Sequence, residues 1–188
     1  MEDRVFEALE FAAECHRGQY RKGTRIPYIV HPVSMVRFLA RVGAPEDVLA
    51  AAALHDVVED TEATLDQVRE RFGDRVAELV EGASETDKSQ TWRERKEATV
   101  QAARQTDDAE LTVLKCVDKL DNLSDIREDR ELVGEKIWER FKADKANQVW
   151  YYGTLSRIFS EKLAGTGYEP LAQQMAAVYE GVFGDYSQ

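Results

Sequence analysis

The residues with the greatest chemical capacity lie in one short stretch, His55-Asp56-Val-Val-Glu59-Asp60. On a helix, positions i and i+4 share a face, so His55 would stand over Glu59 and Asp56 over Asp60. Carboxylates crowded at one helix end repel each other unless a cation neutralises them. Taken alone, the pair His55-Asp56 reads as an exposed acidic helix C-terminus. Two further segments change that reading. His31 stands 24 residues earlier (55 − 31), after the apolar run Pro27-Tyr-Ile-Val30. Asp118 stands 62 residues after Asp56 (118 − 56), inside the otherwise apolar stretch Leu114-Lys-Cys-Val-Asp118-Lys-Leu120. An acid in that setting faces inward and needs a partner. Two imidazoles and two carboxylates make an N/O donor set for one divalent ion of borderline or hard character, such as Mn²⁺, Fe²⁺, Co²⁺ or Mg²⁺. The remaining histidine, His16, falls on an apolar stripe and reads as a structural, hydrogen-bonded side chain.

Helices must position these groups. Val5, Leu9, Ala12, Ala13 and His16 form one stripe, which predicts a helix over about residues 2–17. Residues 18–27 are polar and basic with two glycines, and read as a loop. His31-Pro32 opens a helix through Val33, Val36, Phe38 and Leu39 to about Gly43, with proline in its first turn. Ala44-Pro45-Glu46-Asp47 opens another, carrying Val48, Leu49, Ala52 and Ala53 to about Asp60. Thr64-Leu-Asp-Gln67 has capping-box spacing ahead of a helix through Val68, Phe72, Val76 and Leu79 to Gly82. Further helices are predicted over 92–105, 111–126, about 137–163 and 170–183. Trp138, Phe141, Trp150, Tyr151, Tyr152, Ile158 and Phe159 recur at helical spacing and read as core, with Tyr151 or Tyr152 as candidates for a pocket wall. The run Trp92-Arg-Glu-Arg-Lys96 reads as a solvated helix start. No stretch alternates long enough to build a sheet, so the expected fold class is all-α. One domain is expected over 1–188, with a metal-site core over about 16–125 and C-terminal helices over about 135–188.

Composition narrows the function. An apolar fraction of 43% with 32% charged residues excludes a disordered chain. The charge is −11, from 25 Lys+Arg against 36 Asp+Glu, which disfavours nucleic-acid polymers and anionic membranes as partners. A small anionic substrate remains compatible, because a metal and a few basic residues can make one pocket positive. The longest apolar run, residues 48–54, is seven residues, against roughly 20 for a bilayer span. Cys15 and Cys116 give no disulfide framework, and the acidic start Met-Glu-Asp-Arg shows no secretory signal, so a cytoplasmic location is expected.

The order His31 … His55-Asp56 … Asp118 resembles the HD phosphohydrolase superfamily, an all-helical, metal-dependent group. His16-Arg-Gly-Gln19, Arg21-Lys22-Gly23, Pro27-Tyr-Ile-Val-His31-Pro32, Ala53-Leu-His-Asp-Val-Val-Glu-Asp60-Thr61 and Val117-Asp-Lys-Leu-Asp-Asn122 are similar to the hydrolase domain of RelA/SpoT alarmone enzymes. With the segment Phe72-Gly-Asp-Arg-Val-Ala-Glu-Leu-Val-Glu-Gly82, the resemblance covers about residues 1–160. It implies an HD-domain helical bundle in which His31, His55, Asp56 and Asp118 ligate one divalent metal ion, Mn²⁺ first among the candidates. It implies that Glu59 and Asp60 handle the attacking water. Arg21 matches the position that stacks on guanine, Lys22 is its basic neighbour, and Asn122 matches an asparagine near the ribose and phosphate. Two features depart from the family's pattern. The 21–27 loop is one residue longer and carries Arg25 where an acid often sits, and Asp121 replaces a histidine.

The implied reaction is hydrolytic removal of pyrophosphate from the 3′ position of guanosine 3′,5′-bis(diphosphate), the stringent-response nucleotide ppGpp. Two alternatives stay open at this stage. The same site could act on another nucleotide or phosphate monoester, which the longer loop and Asp121 keep in play. A non-catalytic nucleotide-binding module would have no need of the Glu59–Asp60 pair.

Overall fold

The helical spacing of the apolar residues is realised throughout the computed structural model, which describes residues 2–84 and 89–184. Among the described residues the one strand-like pairing is an isolated bridge between Tyr20 and Pro27. Backbone packing divides the chain into two units, Met1–Thr86 and Asp87–Gln188.

In the first unit, α1 (Glu2–Cys15), α2 (Val30–Arg41), α3 (Glu46–Leu54), α4 (Val57–Asp60), α5 (Leu65–Phe72) and α6 (Asp74–Ala83) follow in order. The centre is α3, in which Val48 and every residue from Ala50 to Leu54 are buried. A helix apolar all round belongs inside. Its alanines present almost no side-chain bulk, so α1, α2 and α6 can all pack against it. Arg4 on α1 ties two neighbours together, pairing with Asp47 at 2.7 Å and donating to the Phe72 carbonyl.

Two predicted helices are interrupted, each for a local reason. The helix expected to reach Asp60 stops at Leu54, and His55 and Asp56 form a turn before α4. The Ala52 carbonyl accepts a hydrogen bond from the His55 ring Nδ1 at 3.0 Å, which competes with the helical ladder at that point. The helix expected over 64–82 is split at Gly73, whose φ of 89° and ψ of 169° lie outside the range of L side chains. The Thr64 capping box is present, with Gln67 N donating to Thr64 Oγ1 at 3.3 Å and Thr64 N to Gln67 Oε1 at 2.9 Å.

The second unit holds α7 (Trp92–Gln105), α8 (Ala109–Val133), a 3₁₀ helix (Gly134–Arg140), α9 (Lys145–Leu163) and α10 (Glu169–Phe183). Thr91 and Glu94 cap α7 reciprocally, and the Asp108 carboxylate caps α8 by accepting from Glu110 N and Leu111 N. Helix α8 continues past the expected stop at Ile126 until Gly134, where φ of 65° ends it. Helix α9 begins eight residues later than expected (145 − 137), because Phe141 turns extended and the Asp144 carboxylate caps the new start through Asn147 N at 2.9 Å. Packing of α8, α9 and α10 buries Leu114, Val117, Leu120, Leu155, Phe159, Leu171 and Met175. Gly153 lets α10 come close: a Cβ there would sit 2.6 Å from the Tyr179 hydroxyl. The aromatics read as core divide. Tyr151, Tyr152, Ile158 and Phe159 are buried, whereas Trp138, Phe141 and Trp150 are half-buried.

The Gly73 geometry yields a direct expectation. Gly73→Ala must either strain its backbone or re-form the join between α5 and α6, lowering stability by about 1–3 kcal/mol. Urea denaturation measures this, and a loss below about 0.5 kcal/mol, the range of a neutral surface change, would contradict it.

Candidate metal centre

Three of the sequence-derived donors meet in the first unit. His31 lies in the first turn of α2, and His55 and Asp56 lie in the turn between α3 and α4. The two imidazoles are almost fully buried and face each other, Nε2 to Nε2, at 3.2 Å. Asp56 Oδ2 is 2.8 Å from His55 Nε2 and 3.9 Å from His31 Nε2. The Ala52 carbonyl can only accept, so His55 Nδ1 carries a proton and donates to it. In neutral His55 the other nitrogen, Nε2, is then a lone pair, turned toward a carboxylate oxygen and a second imidazole. Acceptors aimed at one buried point require a cation between them. A proton can serve, and so can a divalent metal, for which two imidazole nitrogens and a carboxylate oxygen are apt ligands. The donor set thus fits a metal of the kind the sequence implies.

Around these donors runs a second layer that sequence reasoning did not single out. Residues 18–27, read as a loop, fold back on themselves as a short hairpin. Arg21 N donates to the Ile26 carbonyl at 2.8 Å and Tyr28 N to the Gln19 carbonyl at 3.0 Å, on either side of the Tyr20–Pro27 bridge. The Tyr28 hydroxyl donates to Asp56 Oδ2, and its ring lies 4.6 Å from the His16 ring and 5.9 Å from that of His31. His16 is the structural histidine expected: it is buried, and its Nδ1 is 2.8 Å from Gln19 Oε1. Gln19 in turn donates to the Asp60 carbonyl at 2.9 Å, tying the hairpin to the end of α4. The available signal was the apolar run before His31, where tyrosine is the one member with a polar tip.

The acid pair sits on α4, a single turn held by Asp60 N donating to the Asp56 carbonyl at 2.9 Å. The i to i+4 relation inferred from sequence therefore survives between Asp56 and Asp60, although the helix itself is broken. Glu59 is half-buried and Asp60 exposed. On the hairpin, Arg21 is half-buried with its guanidinium 5.8 Å from the Tyr28 ring centre, and Lys22 is exposed.

Asp118 and Asn122 belong to the second unit, one turn apart on α8. Asn122 Nδ2 donates to Asp118 Oδ1 at 2.6 Å, and Lys119 Nζ donates to Oδ2 at 2.5 Å. Burial alone would pull the Lys119 ammonium down, but Asp118 beside it, with Tyr151 and Tyr152 adding to the effect, holds its pKa well above the ordinary lysine value. One turn back, Lys115 is buried, and desolvation together with Lys119 lowers its pKa to about 8. Asp121, which departs from the expected histidine, is buried as well. The inward-facing acid inferred from sequence is thus half-buried with partners from its own helix. Lys119, which the sequence reading passed over, is one of them.

Comparison with known proteins agrees with this chemistry. A family model described as HD domain matches residues 8–147. Human MESH1, a guanosine-3′,5′-bis(diphosphate) 3′-pyrophosphohydrolase, is 44% identical over 127 residues, which is 65% of this chain and 69% of the human protein. The Aquifex aeolicus protein of the same enzyme name is 39% identical over 136 residues, or 72% of this chain. That relative is much longer, and the match spans 19% of it. Among solved structures, a metazoan ortholog of SpoT that hydrolyses ppGpp superposes with a TM-score of 0.72 at 30% identity, covering 93% of this chain and 94% of the other. Among the described residues no helix is long and apolar enough to cross a membrane. The buried histidines with their aspartate, the all-helical fold and the extent of these matches have one meaning: the chain belongs to the HD-domain family of phosphohydrolases.

Proposed function

We propose that the chain is a metal-dependent pyrophosphohydrolase that removes pyrophosphate from the 3′ position of guanosine 3′,5′-bis(diphosphate). The observation that carries this reading is the buried convergence of His31 Nε2, His55 Nε2 and Asp56 Oδ2, which has no function in a domain that merely binds a nucleotide. The named activities of the human and Aquifex relatives and of the metazoan structure support the substrate.

In this proposal His31, His55, Asp56 and Asp118 hold one divalent ion, Mn²⁺ first, with Fe²⁺, Co²⁺ and Mg²⁺ as the other candidates. When bound, the ion supplies Lewis acidity to a phosphoryl oxygen and eases deprotonation of water. The protein's own groups do the rest. Glu59 and Asp60 orient the attacking water and take its proton. The water oxygen bonds to the phosphorus carried by the 3′ oxygen, the bond from that phosphorus to the 3′ oxygen breaks, and the departing oxygen is protonated. Arg21 stacks on the guanine, Lys22 and Asn122 hold phosphate and ribose, and the products are GDP and pyrophosphate.

A Mn²⁺-supplemented assay with ppGpp tests the reaction. Release of pyrophosphate is expected, whereas orthophosphate release would indicate a different phosphate ester as substrate. No turnover of any nucleotide would leave only a binding module.

Variants test the roles. His31→Ala and Asp118→Ala should each lose the metal, measured by elemental analysis after dialysis. Retention of one equivalent by either variant would remove that residue from the ligand set. Glu59→Gln keeps shape and hydrogen bonding but removes a base and a charge. It should fold, hold its metal and bind nucleotide while kcat falls by about 10²–10⁴. If Glu59→Gln and Asp60→Asn both keep kcat within about threefold, less than roughly 1 kcal/mol of barrier, the pair is structural. Arg21→Ala should raise KM more than it lowers kcat, since stacking is made equally in ground and transition states. An unchanged KM would place the guanine elsewhere.

A further inference from the structure

The hairpin and the metal ligands of the first unit share one side chain. Tyr28 is fixed on every side that the structure shows. Its amide donates to the Gln19 carbonyl at 3.0 Å, and its carbonyl accepts from His31 N at 3.0 Å. Its ring is tilted 35° against the His16 ring and stands edge-on to His31 at 73°. The Arg21 guanidinium lies 5.8 Å from the ring centre. A ring held this way places its hydroxyl without much freedom, and that hydroxyl donates to Asp56 Oδ2. This is the same oxygen that stands 2.8 Å from His55 Nε2 and 3.9 Å from His31 Nε2.

From this geometry we infer that Tyr28 is a positioning residue for the metal: its hydroxyl orients the Asp56 carboxylate toward the two imidazoles. The inference rests on the metal-site reading above. The chemistry favours a phenol for the task. A neutral donor fixes a carboxylate's orientation without cancelling the charge that the metal needs, as a lysine or arginine there would. Outer partners of ligating carboxylates typically carry 10–100-fold in metal affinity, roughly 1.4–2.7 kcal/mol. The placement also separates two roles of one residue. The hydroxyl faces Asp56, whereas the ring carries the contact with Arg21, so removing the oxygen alone should affect the metal and spare the nucleotide.

The experiment is calorimetric titration of chelator-stripped protein with Mn²⁺, beside KM and kcat for ppGpp at saturating Mn²⁺. Tyr28→Phe is expected to raise the Mn²⁺ Kd by about 10–100-fold and to leave KM within about threefold. Para-aminophenylalanine at position 28 restores a donor on the same ring and should recover most of the lost affinity. A Tyr28→Phe Kd within about twofold of wild type overturns the proposal, as does a rise in KM with unchanged Kd, which would make the residue a nucleotide contact. Failure of the para-amino variant to recover affinity also overturns it, since the effect would then be packing. Should Tyr28→Phe not fold, the para-amino variant decides alone. A Kd within about fivefold of wild type supports the role, and a larger loss overturns it. Wild-type protein that binds none of Mn²⁺, Fe²⁺, Co²⁺ and Mg²⁺ overturns both this proposal and the metal-site reading, whereas wild-type binding with an unaffected Tyr28→Phe overturns this proposal only.

Discussion

Two imidazoles and a carboxylate that converge in a buried place need a cation, proton or metal, between them, and the first unit is built around such an arrangement. His31 Nε2, His55 Nε2 and Asp56 Oδ2 converge within 3.9 Å of one another. They meet because the four alanines of α3, Ala50 to Ala53, let α2 pack close to it. Two of them lie where the regular helix stops at Leu54: His55 and Asp56 form a turn before α4. The His55 ring is held at that turn by donating to the Ala52 carbonyl. Small side chains, a broken helix and one ring-to-carbonyl bond together serve to keep three acceptors in place.

Asp118 represents a different way of preparing a carboxylate. Both of its oxygens accept bonds from α8 itself, one from Asn122 and one from Lys119, in a stretch where Val113, Leu114, Val117 and Leu120 are buried. An ammonium beside an acid keeps the acid ionised in apolar surroundings, and an amide one turn on fixes its plane. The half-buried acid is therefore oriented by its own helix.

Much of this was legible in the sequence. The stripes gave the helices and the lack of alternation excluded a sheet, because both follow from residue spacing alone. The ligand types were legible because histidine and aspartate are uncommon inside apolar segments. The interruptions were not. Gly73 sits within a pattern that keeps a helical period on both sides, so only the backbone reveals its positive φ. At His55 the helix ends through a ring-to-carbonyl bond that no propensity encodes. Tyr28 and Lys119 were hidden for a shared reason. An apolar run disguises its amphipathic members, whose bodies pack while their tips reach a carboxylate.

The hairpin preceding α2 has a base closed by backbone pairing and a tip turned by Thr24, whose amide and hydroxyl both donate to the Arg21 carbonyl. The bonds at Gln19, Arg21, Ile26 and Tyr28 close it next to the metal ligands, while Lys22, Gly23 and Arg25 lie exposed beyond them. Residues can be gained or lost at such a tip without moving the base, so Tyr28 and Asp56 stay in register whatever the tip's length. The tip can therefore change in single-residue steps while the residues that approach the metal ligands keep their places.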